Sequence, residues 1–207
     1  MQKFTRNIAT RAVLPLGVAF ALVGGGGIAH ASGVPTAEED LQLRVPAHEM
    51  PLLDTATCGD ITEADESAAG ALNGELSGDM AGHMTGYHAS CARAVVEAAQ
   101  ERGMNEHAAT IAITTVIVET HLNNYTGGDR DSVGLYQQRD HYGSPEQRLD
   151  PAWATNAFYD EMDRVYPNGS WADHAIGDVC QGVQRSAYPD RYQHQAGDAE
   201  IIVNHLW

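Results

Sequence analysis

The chain has 207 residues, with 28 acidic residues against 12 Lys and Arg, a formal charge of −16 at pH 7. That length suits one domain with appendages, and 43% hydrophobic against 19% charged residues excludes a chain disordered throughout. The charge argues against non-specific nucleic-acid binding, which draws its affinity from Lys and Arg, and the ten histidines leave that sign unchanged at pH 7.

The first segment reads as a secretory signal peptide. Lys3, Arg6 and Arg11 form a basic start, Val13 to Val23 is mostly apolar, and Ala29-His30-Ala31 fits a small-x-small cleavage site. The apolar run is too short and too interrupted for a spanning helix. Cleavage after Ala31 removes three basic residues and no acidic one, which moves the charge from −16 to −19. The expected product is secreted and extracellular, with no membrane span after cleavage, and cell-wall association fits it.

Residues 32–86 are rich in Gly, Ala, Asp, Glu, Ser and Thr, and read as an acidic, poorly ordered linker with a short local element over Leu41 to Leu53. From residue 87 the pattern turns helical, so 87–207 is the expected domain. Ser90 is placed to cap a first helix that ends at Gly103. Asn105 is placed to cap a second, running from Glu106 to Val118 and apolar on nearly all sides, as a central buried helix is. Its β-branched residues also suit a strand, but the caps and the length favour helix.

Residues 120–148 are punctuated by Asn, Gly, Asp and Pro and read as loop. Asp150-Pro151 opens the next helix, with Ala154, Ala157, Phe158, Met162 and Val165 on one face. Tyr166 to Gly169 is a turn, Ser170 a cap for a helix through Val183, and Pro189 a boundary. A last short helix follows Asp198. The fold class is therefore mostly α.

Exported chains keep disulfides. Three cysteines allow at most one internal pair. Cys91 and Cys180 both fall in predicted helices and Cys58 in the predicted linker, so Cys91–Cys180 is the expected pair. No CxxC or HxxxH spacing points to zinc.

Glu119 needs explaining. It closes the most hydrophobic helix, where the helix dipole disfavours another anion and apolar neighbours disfavour a carboxylate. Both push its pKa upward, toward a protonated acid at neutral pH, which is what a general acid requires. The plainer reading is a polar residue where a helix surfaces.

Glu119-Thr120-His121-Leu122 precedes Gly134-Leu135-Tyr136-Gln137 by the spacing of the soluble lytic transglycosylases and their goose-type lysozyme-like relatives, where a Glu lies fifteen residues before a Gly-Leu-(Met/Phe)-Gln motif. Asp150-Pro151 with Asn156 and Tyr159 resembles the family's Asp-Pro…Asn…Tyr helix. The loop from Asp129 to Arg139 is also similar to one in secreted actinobacterial proteins. The resemblance covers roughly residues 88–190 and implies a small lysozyme-like helical domain that cleaves peptidoglycan between N-acetylmuramic acid and N-acetylglucosamine, without a cofactor. It makes Glu119 the catalytic acid and base, with Ser132, Gly134, Tyr136, Gln137 and Tyr188 as candidate substrate-binding residues.

Several of these have a second use open to them. Gly134 also serves a turn, Tyr136 also serves to cover the core, and Tyr188 and Tyr192 are candidates for substrate contact, for orienting Glu119 or for structure alone. Asp129 and Asp131 are the candidate second carboxylates if water is the nucleophile. Two departures stand out. Thr120 replaces the usual Ser, and Val183 to Pro189 replaces a late Ala-Tyr-Asn-Ala-Gly motif. The competing reading is a non-catalytic glycan-binding or interaction protein on the same scaffold. A metal site built from His83, His88, His107, His121 and His141 is not expected, because they lie on different predicted elements.

Overall fold

The computed structural model describes residues 53–207, so the expected signal peptide and cleavage site lie outside the described residues, as does nearly all of the Leu41–Leu53 element. The architecture is mostly α-helical: α1 (Glu63–Leu72), α2 (Gly86–Glu101), α3 (Glu106–Thr120), α4 (Pro145–Leu149), α5 (Pro151–Val165), a 3-10 segment (Pro167–Asp173), α6 (Ile176–Gln184) and α7 (Arg191–Leu206). Among the described residues, β-type pairing is limited to isolated bridges, Thr55 with Tyr125 and Val133 with Gln138.

α3 is the hub, packed by α2, α6 and α7. The Asn105 side chain accepts from the Ala108 amide, as expected of its cap. Ala108 through Val118 are all buried, so no face needed to be polar. The threonines that made a strand plausible are accommodated as helix. Thr110, Thr115 and Thr120 each donate a hydroxyl to the carbonyl four residues back. α5 starts at Pro151 with the Asp150 carboxylate accepting from the Ala152 and Trp153 amides, and its Tyr159 hydroxyl donates to the Ala108 carbonyl.

Other boundaries differ from expectation. α2 is capped by Thr85 in a reciprocal pair with His88, and Ser90 is buried inside the helix, its hydroxyl on the Tyr87 carbonyl. Ser170 falls in the 3-10 segment, where left-handed Asn168 and Gly169 break the path, and α6 begins at Ile176. α7 begins seven residues before Asp198. Its first turns are largely polar, yet Tyr192, Ala196 and Ala199 are buried.

The linker expected over 32–86 is corrected for its described part, 53–86. Leu72, Leu76, Met80 and Met84 join the core. The backbone between them is satisfied by side chains. Asp198 of α7 accepts from the Ser77 and Gly78 amides, and Asn73 exchanges two hydrogen bonds with the Met84 backbone. Four well-placed apolar residues anchor a segment whose average composition reads as linker.

The expected Cys91–Cys180 pair is also corrected. Cys58 is bonded to Cys91, with their Cα atoms 4.9 Å apart, which ties the start of the described chain to α2. Cys180 is a free, buried thiol on α6 against the Ile111 carbonyl of α3. Burial pushes its pKa up to about 12, so it is inert as a nucleophile.

Candidate active site

Glu119 lies in the last turn of α3. Beyond it the helix ends on two left-handed residues, His121 (φ 52°) and Leu122 (φ 60°), and the fully buried Leu122 pins the reversal. Thr120 points inward, and its hydroxyl also donates to the Leu135 carbonyl at 3.0 Å. Thr120 thus joins the helix end to the loop carrying Gly134-Leu135-Tyr136-Gln137. Arg148, almost fully buried, holds the same loop by donating to the Asp131, Gln138 and Gly143 carbonyls.

Glu119 is partly buried and accepts from the Tyr192 hydroxyl at 2.5 Å. Burial raises its pKa above the usual carboxylate range. The Tyr192 hydroxyl, the Gln184 amide and the Arg191 charge offset part of that rise. Burial and the neighbouring Glu119 charge drive the Tyr192 phenol upward, so it stays a neutral donor. Asp79 lies 3.7 Å from Arg191 and 3.6 Å from His121, spanning the two elements that flank the carboxylate.

Glu119 opens into a cleft of about 140 Å³, walled by Gln137, Gln138, Arg139, His141, Tyr142, Val183, Gln184 and Arg185. Of the substrate-binding candidates, Gln137 lines it, from a left-handed backbone (φ 49°). Its amide is drawn toward its own loop, donating to the Gly134 carbonyl and accepting from the Ser132 hydroxyl. Ser132 is buried as a loop strut, donating to the Asp129 carbonyl as well.

Tyr136 is corrected as a substrate-binding residue: of its two uses, it takes the one of covering the core. Its ring is buried, stacked on Phe158, with the hydroxyl on Thr155. Its backbone contributes instead, since its carbonyl accepts from Gln184 at 3.0 Å and so positions that cleft residue. Gly134 (φ 83°) carries the turn, and a Cβ there would sit 2.2 Å from the Arg148 carbonyl oxygen. Gly134→Ala should therefore cost about 2 kcal/mol or more. Denaturant unfolding checks this, and an unchanged midpoint would refute the close approach.

Tyr188 is 67% exposed on the turn between α6 and α7, free to meet a ligand but away from Glu119's hydrogen bonds. Neither Asp129 nor Asp131 lines the cleft. Asp129 is nearly fully exposed. Asp131 is bonded to the Asp140 amide and to Arg139, which hold its pKa down at about 2. Three histidines do converge: His83, His88 and His121 line a separate hollow of about 360 Å³ with Asp79. Among the described residues, no group of three or more His, Cys, Asp or Glu is arranged to hold a metal ion.

The sequence pointed to Glu119 and left Tyr192 among candidates, but missed Gln184, Arg191, His141 and Tyr142. Gln184 falls in the Val183–Pro189 segment, which the sequence marked as a departure from the resemblance without naming the residue. No protein-family model matches the chain, and no curated protein matches it in sequence.

Proposed function

We propose that this protein is a secreted peptidoglycan-cleaving glycosidase of lytic transglycosylase type on a lysozyme-like scaffold. The observation that carries the reading is the partly buried Glu119 carboxyl, its pKa raised by burial, held by a neutral Tyr192 donor and lining a cleft. Protonated Glu119 donates its proton to the glycosidic oxygen between the muramic acid and glucosamine residues as the C1–O bond breaks. The resulting carboxylate is stabilised by Tyr192, Gln184 and Arg191. It then takes the proton of the muramic C6 hydroxyl while that oxygen bonds to C1. One carboxyl serves both steps, and the product is a 1,6-anhydro sugar.

A hydrolytic route needs a second carboxylate across the bond. Asp131 is engaged with Arg139, and neither it nor Asp129 lines the cleft, which favours the single-carboxyl route. Mass analysis of soluble muropeptides from purified peptidoglycan tests the choice. Anhydro ends are expected. Reducing muramic ends would make the protein a muramidase, and binding without any product would make it a glycan-binding protein on the same scaffold.

A general acid must be protonated, so activity should fall as pH rises through the Glu119 pKa. Tyr192→Phe removes a donor that favours the ionised form. Its alkaline limb should therefore move to higher pH, with a reduced kcat from the lost positioning. A pH–rate profile that drops in amplitude without shifting would make Tyr192 a packing residue alone.

A further inference from the structure

The Glu119 cleft does not end at its own walls. His141, Tyr142 and Arg185 also line an adjoining hollow of about 530 Å³, completed by Trp153, Ala157, Asp160, Glu161 and Arg164. On its wall one carboxylate organises two guanidinium groups. Glu161 of α5 has 14% of its side chain exposed and accepts from Arg164 through both oxygens and from Arg185 through one, each at 2.6 Å.

The arginines themselves stay open, with 62% and 59% of their side chains exposed. A guanidinium has five N–H donors, so one carboxylate leaves most of those on the pair unused. The trio carries one net positive charge on a chain of net charge −16. Asp160, the other acid at this hollow, is paired with Arg102 at 2.9 Å.

Planar forks held by a partly buried carboxylate suit a second carboxylate bound through paired N–H donors, and they lose little freedom when they bind it. Arg185 lines both hollows, so a group docked here is continuous with whatever occupies the Glu119 cleft. We propose that the outer hollow is a carboxylate-binding site, in which Arg164 and Arg185 dock a free carboxylate of the peptide stem borne by the glycan strand; this rests on the glycan-cleaving reading of Glu119. It also resolves a charge conflict, because an acidic protein gains a local attachment point on an anionic polymer without long-range attraction.

The test compares glycan strands bearing stem peptides with free carboxylates against the same strands after carbodiimide amidation. Binding is read by calorimetry on Glu119→Gln, so it does not require turnover, and cleavage is read on the wild type. The free-carboxylate strands should bind about tenfold more tightly, the scale of a charge-assisted hydrogen bond. Arg164→Gln should bring that ratio close to one, and Arg164→Lys, which keeps charge but not the fork, should leave it intermediate. Equal binding of both strand types, or a ratio unchanged in Arg164→Gln, overturns the site. Cleavage without discrimination defeats the site and leaves the glycosidase reading standing. Discrimination without cleavage does the reverse, and no binding at all overturns the site.

Discussion

Glu119→Gln should lower kcat for glycan cleavage by about 10²–10⁴-fold, the usual contribution of a positioned general acid. The amide keeps the shape of the side chain and still accepts from Tyr192, but its N–H protons are far too weakly acidic to be given to the leaving oxygen. The fold should survive. Because burial raises the Glu119 pKa in the folded state, its contribution to stability is fully present below the unfolded pKa and is lost as pH rises through the folded pKa. The amide is neutral throughout, so the variant should be as stable as the wild type in acid and more stable at alkaline pH. An inactive variant that also melts earlier at alkaline pH would point to a structural role for Glu119.

The second large effect belongs to the disulfide. Cys58→Ser or Cys91→Ser should lower stability by about 2–4 kcal/mol. The bond closes a 33-residue separation and anchors the segment whose Ala56 amide donates to the Asn124 carbonyl and whose Asp54 carbonyl accepts from the Thr126 amide. The unreduced protein should titrate with no thiol while folded and with one after unfolding, since Cys180 is buried. Cys180→Ala should retain the sensitivity to reductant that Cys91→Ser loses. If Cys180→Ala instead abolished that sensitivity, the pairing would be wrong.

Legibility in the sequence followed the range of the interactions. Asn105 at the start of α3, Gly103 before it, and Asp150-Pro151 at α5 are local devices, and all three function as expected. Glu119 was legible because an acid at the end of an apolar helix is anomalous by itself. What failed depended on distant partners. The 53–86 segment reads as linker until Asp198, 120 residues on, is seen accepting from the Gly78 amide. The Cys58–Cys91 pairing depends on which face of α2 meets the incoming chain, and helix membership does not reveal that. Tyr136 sits in a polar loop by sequence, but Phe158 and Thr155 of α5 draw it into the core. Gln184 acts on Glu119 through that same burial, because the Tyr136 carbonyl fixes its amide.

If Glu119 drives cleavage of the cell-wall glycan, the products must depend on its carboxyl. Purified peptidoglycan incubated in parallel with wild type and Glu119→Gln, with the soluble muropeptides quantified by mass, tests it most directly. Anhydro muropeptides are expected from the wild type and background release from the variant. Equal release from the two proteins, or none from either, would contradict it.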